Sequence, residues 1–198
     1  MAEMMKGNEA IAEAAIRAGA RFYAGYPITP SSEIMEYLSW RMNEVGGAFV
    51  QAESELAGIN MVIGASSCGV RALTASSGPG ISLKQEGIST LCDEGLPAVV
   101  ITQVRYGNGL GTLFTSQCDY HRETRGGGQG DYRCIVLCPS SIQEFVDLML
   151  PAYELAEKYR IVTIMMGEGT LGQMMEPVEL PDFVEPKRTP WALNGHYT

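Results

Sequence analysis

Apolar and small residues along this chain alternate between two periodicities. In "NEAIAEAAIRAG" (8–19), Ile11, Ala14, Ala15 and Ala18 fall at i, i+3, i+4 and i+7. That is the stripe of a helix buried on one side, with Gly19 as its C-terminal cap. "RFYAGY" (21–26) then reads as a short strand stopped by Pro27. A second helix carries Ile34, Tyr37 and Leu38 on one face, and its start is predicted at Thr29 as N-cap with Pro30 in the first helical position. The alternation repeats: strand "GAFVQA" (47–52), helix "SELAGINMVIGAS" (54–66), strand "VRALTAS" (70–76), helix "ISLKQEGISTL" (81–91). "PAVVITQV" (97–104) is an unbroken apolar run, as in a strand covered on both faces, and "YRCIVLC" (132–138) is another. Ser141 and Glu144 form a capping box before a helix striped by Ile142, Phe145, Val146 and Met149, with a kink expected at Pro151. "IVTIMMG" (161–167) closes the series.

Strands alternating with helices predict an α/β fold, three-layered α/β/α, with a mostly parallel sheet of about six strands. Right-handed crossovers then bring every strand-to-helix turn to one edge, where such sheets bind ligands. Those turns are "GYPITP", "AESE", "SSGPG" and the stretch after Val104. The last, from Arg105 to about Asp131, has no sustained periodicity and has glycines at 107, 109, 111, 126, 127, 128 and 130; a loop of that length inside a domain is functional or disordered. Residues 1–175 are expected to form the domain and 176–198, rich in proline, a linker or C-terminal arm.

Composition narrows the function. Of the 198 residues 45% are hydrophobic and only 19% charged, so part of the surface is expected to be covered by partner subunits or by self-association. A formal charge of −9 argues against nucleic acid or an anionic membrane as partner. No run approaches the ~20 apolar residues of a membrane span, and the N-terminus lacks a signal pattern, so a cytoplasmic location is expected. The five cysteines include no Cys-x-x-Cys pair, which predicts no zinc or iron–sulfur site on this chain. Cys134 and Cys138 read as buried hydrophobes beside a core strand, and His121 and His196 as surface residues.

Three side chains on the ligand edge could do chemistry. Glu55 opens a helix whose following residues are small or apolar, so its carboxylate is expected to be shielded, and a shielded carboxylate can hold a proton. An acid in a first helical turn is also favoured simply by the macrodipole, and Glu53 is an equal candidate for that role. Thr29 either caps its helix or presents a hydroxyl between two stiff prolines. Arg105 ends the buried strand and either faces solvent or offers a planar two-pronged donor to a carboxylate. "SSGPG" (76–80) lacks the Gly-Lys-Ser/Thr element of a phosphate loop and fits close backbone approach to a ligand or neighbouring subunit.

Taken together, "GYPITPSSE", "FVQAESELAGINMVIGAS", "TASSGPGISLKQEGIS" and "QGDYRCIVLCPSSIQEFVDL" resemble the alpha subunit of 2-oxoacid:ferredoxin oxidoreductases over nearly the whole chain, most nearly the branched-chain 2-oxoisovalerate enzymes. The resemblance implies the pyrimidine-binding domain of a thiamine diphosphate enzyme, which decarboxylates a 2-oxo acid oxidatively to an acyl-coenzyme A and passes electrons to ferredoxin. It also implies that Glu55 meets N1′ of the aminopyrimidine, promoting the imino tautomer whose N4′ takes the thiazolium proton. Thr29 and Arg105 are implied as substrate-binding residues, and Tyr26, Pro27, Ile28 and Gly78 as neighbours of the cofactor. Magnesium and the diphosphate are expected on a beta-type partner, iron–sulfur clusters on gamma and ferredoxin-like partners, and coenzyme A as acyl acceptor. The family's usual second domain is expected to be absent or encoded separately. The loop departs from the family pattern: "RYGNGLG" stands for "RGGPGLG" and "SQCDY" for "SQGDY", introducing Tyr106, Asn108 and Cys118 where the acyl pocket is expected. Branched-chain acids are the first expectation, then 2-oxoglutarate and pyruvate. The competing reading is a non-catalytic interaction or regulatory subunit.

Overall fold

The computed structural model describes residues 2–185, 189 and 191–193; His196, read above as a surface residue, lies outside them. In chain order the elements are β1 (Glu3–Lys6), α1 (Gly7–Arg17), β2 (Phe22–Gly25), α2 (Ser32–Glu44), β3 (Ala48–Gln51), α3 (Glu55–Ser67), β4 (Ala72–Ser76), α4 (Gly78–Asp93) and β5 (Ala98–Val104). After the long loop come α5 (Tyr120–Arg125), β6 (Ile135–Leu137), α6 (Ile142–Tyr159), β7 (Val162–Glu168), α7 (Gly169–Gln173) and β8 (Met175–Val178). Six strands form one parallel sheet in the order β3-β2-β4-β5-β7-β6.

The central strand β5 shows why its run is uninterrupted. Val99 and Ile101 point into one apolar layer, shared with α1, α2 and α6, while Ala98 and Val100 point into the other, shared with α3 and α4. Both faces are dry, so a period-2 pattern has no polar side to show. The chain leaves β2 over one face through α2 and returns from β3 over the other through α3, to pair β4 on the far side of β2. The winding therefore reverses between β2 and β4, and a crevice opens beyond their carboxyl ends. Helix and strand pack closely there: a side chain at Gly58 of α3 would lie 3.2 Å from the Gly25 Cα, so Gly58 lets the helix ride on the strand.

The structure departs from the sequence expectations at several points. Thr29 does not cap α2: the Thr29–Pro30 bond is cis, and the Ile28 carbonyl accepts from both the amide (2.9 Å) and hydroxyl (2.8 Å) of Ser31, forming a turn that delays the helix to Ser32. Strands β1 and β8 pair antiparallel as a separate ribbon, so the expected boundary after residue 175 falls inside a strand. In the capping box, Ser141 Oγ accepts from the Glu144 amide at 3.1 Å, but the Glu144 carboxylate accepts from the Ser140 amide and hydroxyl, one residue early, both at 2.7 Å. The helix runs through Pro151 to Tyr159. Cys138 is exposed rather than buried, whereas Cys134 is partly buried with its sulfur 3.8 Å from that of Cys92.

Candidate functional site at the carboxyl edge of the sheet

The first turn of α3 fixes Glu55. Ser54 caps the helix by accepting from the Ala57 amide at 3.2 Å, which sets the next side chain against α4. Glu55 is only 7% exposed, whereas Glu53 lies in the open. Its Oε1 and the Ser76 Oγ both lie over Gly80, where an added Cβ would fall 2.6 Å from the carboxylate and 2.2 Å from the hydroxyl. The glycine therefore makes the seat that the carboxylate occupies. Below it, the amine of the wholly buried Lys84 donates to the Glu55 main-chain carbonyl at 3.4 Å.

Arg105 leaves the end of β5 and gathers the other turns. Its guanidinium donates to the carbonyls of Thr29 at 2.7 Å and Leu110 at 2.5 Å, and it lies over Gly78, whose φ of +47° and missing side chain leave room for it. Thr29, Gly78 and Arg105 thus meet, with the Thr29 side chain exposed at the rim. Tyr26 is exposed beside them, and Pro27 and Ile28 are half-buried. A cavity of about 400 Å³ opens between Gly78, Ser82, Arg105, Leu110, Cys118 and Arg122.

Two cationic residues escaped the sequence reading. Arg122 donates to the Gly78 carbonyl (3.1 Å) and to the Ser82 hydroxyl (3.2 Å), and it is held in turn by Asp119 at 3.1 Å and Glu123 at 2.9 Å. Glu123 is buried, and burial raises its carboxyl above the ordinary range although Arg122 opposes the shift. Nothing in the unpatterned loop marks Arg122. Lys84 carried a signal: with Gly80, Ile81 and Ile88 it belongs to the stripe that α4 buries, the wrong place for a free charge. His121 is exposed against Tyr120, as the sequence suggested.

The residues present fit a polar heteroaromatic ligand at this edge. Buried hydroxyls of Ser76 and Ser77 and the Nε of Arg105 lack hydrogen-bond partners, beside a shielded carboxylate and the exposed Tyr26 ring. Native interiors rarely leave such groups unmatched. A nitrogen heterocycle offers them donors and acceptors.

Comparison with known proteins points the same way. Residues 13–192 match the family described as pyruvate flavodoxin/ferredoxin oxidoreductase, thiamine diP-bdg. The chain is 51% identical over 195 residues to the ketoisovalerate oxidoreductase subunit VorB of Methanothermobacter marburgensis, covering 98% of this chain and 55% of that protein. It is 46% identical over 184 residues to the 2-oxoglutarate synthase subunit KorA of Methanocaldococcus jannaschii, covering 92% and 50%. Its fold matches the 2-oxoglutarate:ferredoxin oxidoreductase from Magnetococcus marinus, solved with 2-oxoglutarate, coenzyme A and succinyl-CoA bound. There the TM-score is 0.90 at 32% identity, over 99% of this chain and 35% of that one. The chain spans about half the length of the curated relatives it matches.

Proposed function

Because the chain belongs to the pyruvate flavodoxin/ferredoxin oxidoreductase family of thiamine diphosphate-binding domains, we propose that it forms the aminopyrimidine-binding half of a 2-oxo acid oxidoreductase site. Bound thiamine diphosphate supplies the electron sink that decarboxylation of a 2-oxo acid requires. The residues of this chain bind, orient and move a proton. Glu55, seated on Gly80 and shielded from water, is placed to hydrogen-bond the pyrimidine ring. Ser76 and Ser77 offer it unmatched hydroxyls, and Tyr26, Pro27, Ile28 and Gly78 bound the ring's surroundings.

Arg105 and the exposed hydroxyl of Thr29 orient the substrate's carboxylate and keto oxygen at the rim. A planar guanidinium fixes a carboxylate in orientation as well as place. Magnesium and the diphosphate belong to a beta-type partner subunit in this proposal. Gamma and ferredoxin-like partners hold iron–sulfur clusters that deliver electrons to ferredoxin, and coenzyme A takes the acyl group. The substrate is a branched-chain 2-oxo acid, in line with the ketoisovalerate subunit among the relatives, with 2-oxoglutarate as the second candidate. The protein acts in the cytoplasm; among the described residues no helix is long and apolar enough to cross a membrane.

The observation that carries the reading is the burial of Glu55 against Gly80 at the β2/β4 reversal. The test is Glu55→Gln in the assembled complex, assayed by viologen reduction with a panel of 2-oxo acids. A fall of ~10²–10⁴-fold is expected. Unchanged turnover would assign the chain a regulatory or structural role instead.

A further inference from the structure

Lys84 and Glu55 are the charged side chains buried in the seam between α3 and α4. Lys84 is wholly enclosed, yet its amine makes a single long hydrogen bond, 3.4 Å to the Glu55 carbonyl. Among the described residues no carboxylate comes within ion-pair distance of it. Its surroundings are otherwise hostile to a cation. It lies in the second turn of α4 and against the first residue of α3, so two helix N-termini, both positive ends of their dipoles, face it. A buried ammonium survives only where something compensates its charge.

The compensating group within reach of the same seam is the Glu55 carboxylate. It sits over Gly80, one helical turn before Lys84 on the same face of α4. Burial draws the Lys84 amine down to about 8 while the charge of Glu55 works to raise it. We propose that Lys84 is a positioning residue for Glu55: it ties down the main chain of that residue and supplies the buried positive charge that keeps the carboxylate on its glycine seat. The proposal deepens the reading of Glu55 as the pyrimidine-facing acid and rests on it for its functional consequence. The pairing itself requires only the two side chains.

Removing one of two buried charges that offset each other across a seam costs more than removing both. The test is a double-mutant cycle in the assembled complex, with wild type, Lys84→Met, Glu55→Gln and the double variant. Melting midpoints come first, on protein stripped of thiamine diphosphate. Each single change is expected to lower the midpoint by several degrees, and the double variant to recover most of that loss. Losses that simply add would overturn the pairing. Lys84→Gln keeps a donor for the carbonyl without the charge; a midpoint like that of Lys84→Met supports the electrostatic role, and a wild-type midpoint overturns it. Thiamine diphosphate is then titrated by intrinsic fluorescence. Lys84→Met should weaken its binding about tenfold in the wild-type background and hardly further beside Glu55→Gln. A non-additive stability cycle with unchanged thiamine diphosphate binding in every variant would leave the pairing standing and remove the reading of Glu55.

Discussion

At the scale of single residues, the site depends on a missing side chain as much as on those present. Gly80 lies in the first turn of α4, where alanine would ordinarily favour the helix by about 1 kcal/mol. Here a Cβ would collide with both the Ser76 hydroxyl and the Glu55 carboxylate. The carboxylate ends a flexible side chain and would yield, and the Ser76 hydroxyl would clear the seat by rotating to another rotamer. Gly80→Ala should therefore leave the melting midpoint within a few degrees of wild type while cutting 2-oxo acid turnover by about tenfold or more, since misplacing a catalytic group by an ångström costs up to ~10²-fold. Loss of stability in step with activity would mean that the glycine serves packing alone. A different residue tests the scaffold. Arg71 grips Glu157 through two bonds of 2.6 and 2.7 Å and also holds the Ala18 carbonyl at the far end of the sheet. Arg71→Ala strands a partly buried carboxylate and should cost about 3 kcal/mol in chemical denaturation, with little change in the Michaelis constant.

At the scale of elements, the added ribbon is fastened to the core by the buried Val178 of β8 and, at the β1 end, by one carboxylate. Glu33, in the first turn of α2, accepts from Lys6 at the end of β1 (2.8 Å), Asn8 of α1 (2.9 Å) and Gln173 of α7 (3.0 Å). Burial works to raise its pKa, but the bonds from Lys6, Gln173 and Asn8 outweigh it, pulling the value from 4.5 down to about 2. A depressed carboxylate stabilises the fold fully above its unfolded value and loses that contribution as pH falls through the folded one. The stability gap between wild type and Glu33→Gln should thus be constant above about pH 5 and close between 4.5 and about 2. A gap independent of pH would show that Glu33 acts by shape alone. The ribbon also marks where sequence reasoning stopped. The central parallel strands were legible because both of their faces are buried, which leaves apolar runs such as "AVVITQV". The four residues "EMMK" and "MEPV" have no such run, and they are strands only because opposite ends of the chain meet. Glu55, Thr29 and Arg105 could be picked out because each follows a strand at the ligand edge. Lys84 hid inside a helix stripe, and Arg122 inside a loop whose order comes from its tertiary contacts.

At the scale of the whole molecule, the candidate site is an open edge. Glu55 is sheltered, yet Thr29, Tyr26 and the loop around Leu110 and Phe114 face outward, the last two being 79% and 75% exposed. Water-excluding chemistry needs a cover that this domain does not supply by itself. The purified chain alone is therefore expected to show no thiamine-dependent release of carbon dioxide from any 2-oxo acid, and activity should return on mixing with the subunits that co-purify with it. Turnover by the isolated chain would contradict the shared-site arrangement.

Helix α4 holds the long loop at regular intervals. Arg122 reaches the Gly78 carbonyl and Ser82, Tyr132 and the Gly127 amide reach Gln85, and Ser89 reaches the Gln129 carbonyl. Among the described residues, the backbone hydrogen bonds of 106–117 stay within that segment or run to Arg105, except at its border, where the Gln117 carbonyl accepts from the Tyr120 amide. Those dozen positions form a cassette between fixed splice points. Transplanting the segment from a relative with another substrate preference should redirect selectivity without disturbing the helix that anchors its borders.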